Sequence, residues 1–216
     1  MITYRGLPAP VICDFLSRER SRDHYAPGTE FQIGRIDMVA NTGTYVDSPF
    51  HRFADGTDLA GLELASVADL DAVVVRVVAQ RDRAIARAHV LAALAGADVR
   101  GKAVLVHTGW DVHFGTERYG DTSHPFLDAD VARALAEGGA ALVGIDSVNI
   151  DSTVGGERPV HSLLLAAGIP VLEHLTNLDA LPASEFDLYA VPVKVRGMGT
   201  FPVRAFATWM ETDEPD

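Results

Sequence analysis

Asp128-Ala129-Asp130-Val131-Ala132-Arg133-Ala134-Leu135-Ala136-Glu137-Gly138-Gly139-Ala140-Ala141-Leu142-Val143-Gly144-Ile145 is the stretch that decides the fold. Asp128 stands where an N-cap belongs, and Ala129 to Glu137 is alanine-rich with apolar residues at helical spacing. Gly138 and Gly139 end that helix, and Ala140 to Ile145 follows as an apolar strand. Upstream, Ala103 to His107 is another strand. Downstream, Val160 to Ala167 is a short helix closed by Gly168, and Ile169 to Leu172 is a third strand. A β-α-β-α-β run with short connections implies parallel strands with helices packed on them. Further out, Ala72 to Val78 is a β-branched run that predicts a buried strand. Ala84 to Leu94 predicts a helix stopped at Gly96. Val11 to Phe15, a rough alternation around Phe31 and Ile33, and the segments Leu188 to Val195 and Val203 to Trp209 predict further strands. The class is α/β: a single compact domain over residues 1–210, with a mixed sheet, a β-rich N-terminal half and an acidic tail at 211–216.

Composition narrows the partners. The chain has 216 residues, 48% hydrophobic and 22% charged, which suits one packed core. Thirty acids against 18 bases give a net charge of −12, which argues against nucleic acid or an anionic membrane as partner. A single cysteine, Cys13, excludes an intrachain disulfide framework, and its apolar neighbours suggest a buried, inert thiol. No apolar run is long enough to span a bilayer. Pro8 and Pro10, followed by the charges at Arg18 to Arg22, do not read as a signal peptide, so a cytoplasmic protein is expected.

Chemistry concentrates in Asn41-Thr42-Gly43-Thr44-Tyr45-Val46-Asp47-Ser48-Pro49-Phe50-His51-Arg52-Phe53. Gly43 opens backbone space closed to other residues, and Pro49 stiffens the chain between an acid and an imidazole. Asn41, Tyr45, Asp47 and His51 converge if the segment curls around a cavity. A plain polar loop, with Asp47 in an Asx-turn and His51 on the surface, is the competing reading.

The segment resembles the signature His-x-Gly-Thr-His-x-Asp-x-Pro-x-His of the cyclase family of metal-dependent hydrolases, of which bacterial kynurenine formamidase is representative. Thr108-Gly109-Trp110-Asp111, Gly144-Ile145-Asp146-Ser147, and His161 followed by Gly168-Ile169-Pro170 and Glu173 match further family motifs in the same order. The resemblance implies a metal site of Asp47, His161 and Glu173, with His51 as general acid/base and Asp47 sharing in catalysis. Two histidines that bind a first metal in such enzymes are Asn41 and Tyr45 here. An amide and a neutral phenol are poor replacements for two imidazoles, so one divalent ion, zinc or manganese, is expected rather than two. A metal-free catalyst built on the carboxylates, working as a lyase or dehydratase, and a non-catalytic ligand-binding protein stay open. The activity implied is hydrolysis of an amide or lactone bond in a small cyclic or aryl substrate.

Asn41, Tyr45, Trp110 and Arg158 are the candidate substrate contacts: Trp110 as a flat apolar wall, and Arg158, after Gly155-Gly156, reaching a substrate carboxylate. Trp110 reads equally as core, and the flanking His107 and His113 as surface residues. His174, next to Glu173 in a strand, is expected to face away from the site. Gly197-Met198-Gly199-Thr200 lacks the spacing and lysine of a nucleotide loop, and no G-x-S-x-G is present. The family resemblance further implies a homodimer or homotetramer, which would give the Phe15 to Pro27 segment a role between subunits.

Overall fold

The computed structural model describes residues 4, 6–78 and 82–210. In chain order these form β1 (Val11–Leu16), a single helical turn α1 (Arg18–Ser21), β2 (Ile33–Asp37), β3 (Tyr45–Asp47), β4 (Leu70–Arg76), β5 (Ala84–Ile85) and α2 (Arg87–Leu94). Then come β6 (Ala103–His107), β7 (Phe126–Leu127), α3 (Ala129–Gly138), β8 (Leu142–Ile145) and α4 (Pro159–Ala166). The last strands are β9 (Val171–Glu173), β10 (Phe186–Tyr189), β11 (Thr200–Pro202) and β12 (Phe206–Thr208).

Eight strands form one mixed sheet in the order β11-β3-β9-β8-β6-β4-β10-β12. The centre β4-β6-β8-β9 is parallel and the flanks are antiparallel. The central strands are rich in Val, Leu and Ile because both their faces are buried. Val73, Val75, Val104 and Val106 pack on one face against Val90 of α2, Leu135 of α3 and Leu164 of α4. The alternate residues Ala72, Val74, Ala103 and Leu105 pack on the other face against Leu175, Leu178 and Phe186. Each fully buried Val or Leu contributes roughly 1.5–3 kcal/mol, so this double-sided core is the main source of stability.

α3 ends as the glycine pair predicts, with Gly139 at φ 79° in the left-handed region. Asp128 occupies its N-cap position, but its side chain makes no capping bond. The predicted helix at Ala84 begins later. Ala84 and Ile85 pair in parallel with Phe126 and Leu127, so α2 starts at Arg87, and it stops at two left-handed residues, the C-cap Ala95 and then the expected Gly96. The closing strands are shorter than their apolar runs, and the acidic 211–216 segment lies outside the described residues.

β1 and β2 form a separate antiparallel pair, away from the main sheet. Val11, Ile12, Phe15, Phe31, Ile33 and Ile36 on or beside it are all exposed. Cys13 is therefore exposed as well, contrary to the expectation of a buried thiol: its apolar neighbours belong to this outlying pair and not to the core. No helix among the described residues is long and apolar enough to cross a membrane.

Candidate active site

The segment that carries the motif is a strand followed by a turn, and this arrangement fixes the site. In β3, Tyr45 lies opposite Glu173 of β9, and Asp47 lies opposite Thr200 of β11. Residues two apart on a strand share a face, as do residues directly opposite in an antiparallel pair, so these four side chains meet. The chain then turns through Pro49–His51, which carries His51 back over Asp47. Gly199 makes this possible. A Cβ there would lie 2.2 Å from the His51 backbone nitrogen, so only glycine lets β11 approach so closely.

Asp47 is fully buried. Its Oδ1 accepts a hydrogen bond from Thr200 Oγ1, while its Oδ2 has no hydrogen-bond partner among the described residues. Thr200 Oγ1 also lies 2.7 Å from His51 Nδ1. The threonine has one proton and gives it to Asp47, so it must accept from Nδ1–H of His51. In the neutral imidazole this tautomer leaves a lone pair on Nε2, the nitrogen free to act on a ligand. His51 lines the cavity described below.

His161 is held from below. Asp151, buried, accepts from the backbone N–H groups of Val160 and His161 at the start of α4, and its Oδ2 lies 2.7 Å from His161 Nδ1. One carboxylate thus caps the helix and orients the ring, with Pro159 starting the helix at a position that needs no N–H. The remaining nitrogen, Nε2, sits 3.5 Å from Asp47 Oδ2 and 3.5 Å from Glu173 Oε1. Burial alone lowers the affinity of His161 for a proton, but Glu173, Asp151 and Asp47 outweigh it and push the imidazole up to about 10. Glu173 is pushed up to about 7 by burial, against the pull of His161.

The opposite wall is neutral. Tyr45 donates its hydroxyl proton to Glu173 Oε2, and Glu173 Oε1 accepts from the Ile150 N–H at 2.6 Å. Tyr4 OH lies 2.6 Å from the Val148 carbonyl oxygen and 2.9 Å from Tyr45 OH, and it accepts from Asn149 Nδ2 at 2.7 Å. Burial, reinforced by Glu173, holds both phenols well above their usual range, so neither is a phenolate. Asn41 lies beside Tyr45 and partly offsets that rise.

A cavity of about 230 Å³ opens between the walls, lined by Tyr4, Asn41, Tyr45, His51, Arg52, Asn149, Arg158, His161 and Glu173. Asp47, His51 and His161 each bring one ligand atom within 4.8 Å of the others. These residues fit one cation. Two ligands at tetrahedral angles on zinc stand about 3.4 Å apart, given bonds near 2.1 Å. That matches the 3.5 Å spacings at His161 Nε2, which are long for hydrogen bonds. The orphaned Oδ2 of Asp47 points to the same conclusion. A second cation is not matched: Tyr45 is a neutral donor to Glu173, and Asn41 offers a single amide oxygen.

Five of the residues singled out in the sequence, Asn41, Tyr45, His51, His161 and Glu173, line this cavity, and Asp47 lies beneath it; Arg158 stands among the lining residues too. Trp110 does not. It is packed with Tyr119 and Val148, its indole N–H donating to the Tyr119 carbonyl at 2.9 Å, so it is core and not a substrate wall. His113 stacks edge-on against it. His107 is buried, not on the surface, and forms a second potential cation group with Asp111 and Asp146. Arg76 lies 3.1 Å from His107 Nδ1; a guanidinium only donates, so Nδ1 accepts and Nε2 carries the proton. Asp146 is engaged by Thr108 and Gly109 N–H groups and the Thr108 hydroxyl, so this group is a structural lock.

His174 does not face away as alternation predicts. β9 ends at Glu173, and at φ 59° His174 leaves the strand conformation, its ring 5.1 Å from that of Tyr45 and 5.4 Å from those of Tyr4 and Tyr119. Sequence reading missed Tyr4, Asp151, Asn149 and Thr200. Only Thr200 has a local signal, the glycine-flanked Gly197–Pro202 turn, which does not fit a nucleotide loop and here serves the site instead.

The sequence profile of the family described as putative cyclase matches residues 8–152. The chain belongs to the putative cyclase family. Among curated relatives, kynurenine formamidase of Bacillus cytotoxicus is 28% identical over 182 residues, covering 80% of this chain and 78% of the relative. Kynurenine formamidase of Geobacillus thermodenitrificans is 28% identical over 187 residues, covering 86% and 84%. Among solved structures, isatin hydrolase A from Labrenzia aggregata bound to benzyl benzoate superposes with a TM-score of 0.81 at 22% identity, over 96% of this chain and 86% of that one. An isatin hydrolase bound to the product analogue thioisatinate gives a TM-score of 0.78 at 24% identity, over 94% and 82%. Both share the cyclase fold described above.

Proposed function

We propose that this protein is a metal-dependent hydrolase that cleaves the C–N bond of a small aryl or cyclic amide. The observation that carries the reading is the buried, unpartnered Asp47 Oδ2 facing a His161 Nε2 that Asp151 holds in place. Asp47, His161 and Glu173 would hold one divalent cation, leaving His51 Nε2 free for proton transfer, and the mixed nitrogen and oxygen donors suit zinc or manganese. When bound, the ion supplies a Lewis acid that polarises the scissile carbonyl and acidifies water.

The protein's own residues do the rest. His51, fixed as the Nδ1–H tautomer by Thr200, takes a proton from the attacking water at Nε2 and returns it to the leaving nitrogen. Asp47 holds Thr200 and so the imidazole orientation. Tyr45 and Tyr4 keep Glu173 in position and present a neutral surface to the acyl group. The cavity volume admits one aromatic ring with a short acyl substituent.

N-formylaniline, N-formylkynurenine and isatin are suitable trial substrates, since the relatives named above are kynurenine formamidases and isatin hydrolases. The expected outcome is turnover of at least one that stops on treatment with a strong chelator and returns with zinc or manganese. Turnover indifferent to chelation would overturn the metal and leave the carboxylates as the catalyst.

A second copy of this chain is proposed to cover the β1–β2 pair. A two-stranded ribbon is marginal alone, and this one exposes several large apolar side chains that association would bury. A dimer or tetramer by light scattering is expected, and a monomer at micromolar concentration would remove the idea.

A further inference from the structure

Two arginines line the cavity of a chain whose net charge is −12, and neither is neutralised. Arg52 follows His51 directly, and Arg158 stands at the N-cap of α4, three residues before His161. Neither makes an ion pair with a carboxylate among the described residues; Arg22, Lys102 and Arg133, by contrast, each pair with an acid.

Each guanidinium is tethered by a single nitrogen. Arg52 Nε donates to Ser162 Oγ at 3.1 Å. Arg158 Nη1 lies 2.7–3.0 Å from the carbonyl oxygens of Ser152, Gly155 and Glu157, which share its two protons. The Nη1 and Nη2 groups of Arg52 and the Nη2 and Nε groups of Arg158 have no hydrogen-bond acceptor among the described residues. The two tethers are joined, because Ser162 Oγ donates to the Arg158 carbonyl at 2.7 Å while accepting from Arg52. One serine thus links the first arginine to the helix start that bears the second.

We propose that Arg52 and Arg158 form an anion subsite at this cavity, so that the substrate is an amide carrying a carboxylate, or an acid is the product retained. A guanidinium held by one edge presents its other edge as a ready fork for a carboxylate, at little further entropic cost. The long-range field of the protein repels anions, so a local pair of uncompensated cations selects a ligand by its charge at short range. Ser162 is a positioning residue for Arg52. The word substrate rests on the hydrolase reading; the subsite itself does not, and binding tests it without turnover.

The experiment compares benzoate with benzamide, nearly equal in shape but the one anionic and the other neutral, by calorimetric titration of the full chain after chelation. Benzoate is expected to bind at least about tenfold more tightly, with an advantage that shrinks as salt rises. Arg52→Gln, at an exposed residue whose loss leaves the core intact, should remove most of that advantage and leave benzamide binding unchanged. Ser162→Ala should lower it about threefold, with Ser162→Thr restoring it. Benzoate binding no better than benzamide, or a preference untouched by Arg52→Gln, would overturn the subsite. A carboxylate captured by residual metal falls under the second outcome. If the subsite holds and no amide is turned over, the hydrolase reading alone fails.

Discussion

On one wall of the cavity, Asp47 Oδ2 has no hydrogen-bond partner among the described residues, and His51 and His161 are each fixed through Nδ1, by Thr200 or Asp151, which leaves Nε2 toward the site. On the other wall, Tyr4, Tyr45 and Asn149 are engaged with one another, with Glu173 and with the Val148 carbonyl. The first wall is built to receive a cation and a proton. The second is built to need neither. Its phenols, Tyr4 and Tyr45, are held well above their usual range by burial and stay neutral, so the wall where Asn41 and Tyr45 replace two signature imidazoles is a closed hydrogen-bonded cluster. On the proposed reading, function follows from which polar atoms are left unpaired, more than from which residue types are present.

The largest expected effect comes from the open wall. His51→Ala should lower kcat by about 10²–10⁴-fold in a chromogenic amide assay with metal content unchanged, as loss of a general acid/base does. Equal loss of metal and activity would instead make His51 a ligand. Next comes conversion of the closed wall. Asn41→His combined with Tyr45→His should raise the metal content by one equivalent in elemental analysis, since two imidazoles replace an amide and a phenol. Unchanged stoichiometry would show that the backbone, and not these side chains, excludes the second ion.

A smaller effect is expected at the relay between the walls. Thr200→Val keeps the shape of β11 but removes the hydroxyl between Asp47 and His51, and kcat should fall about tenfold with KM little changed. The smallest concerns stability. His124, buried against Ser147, Thr153 and the Pro125 carbonyl, is held below the usual imidazole range chiefly by burial. The unfolded chain takes up that proton first as pH falls below about 6.5, so this stability is full at neutral pH and is lost on acidification. His124→Gln should flatten the fall in Tm between pH 7 and pH 5 by a few degrees, about 2–4 °C for a chain of this size. An identical slope in both proteins would assign the acid sensitivity elsewhere.

The parallel centre was legible because its signals are local. Ala103–His107 and the helix after Asp128 are set by β-branched runs and glycine stops within a dozen residues. The site was legible only as residue types in an order. β3 is three residues long, and two of them, Tyr45 and Asp47, turn polar side chains toward the site, so no apolar alternation marks it as a strand. Thr200 lies 153 positions from Asp47, and Tyr4 lies 169 from Glu173, distances over which a single sequence carries no pairing signal. Trp110 shows the reverse error: a motif residue at a strand end whose ring is taken up by the core.

Whether the open wall holds one cation is settled most directly by elemental analysis of the full-length protein loaded with zinc or manganese and passed through a desalting column. One equivalent per chain, lost in both Asp47→Asn and His161→Ala while the variants stay folded by circular dichroism, is the expected result. No bound metal under any loading condition, or one equivalent that survives both substitutions, would contradict it.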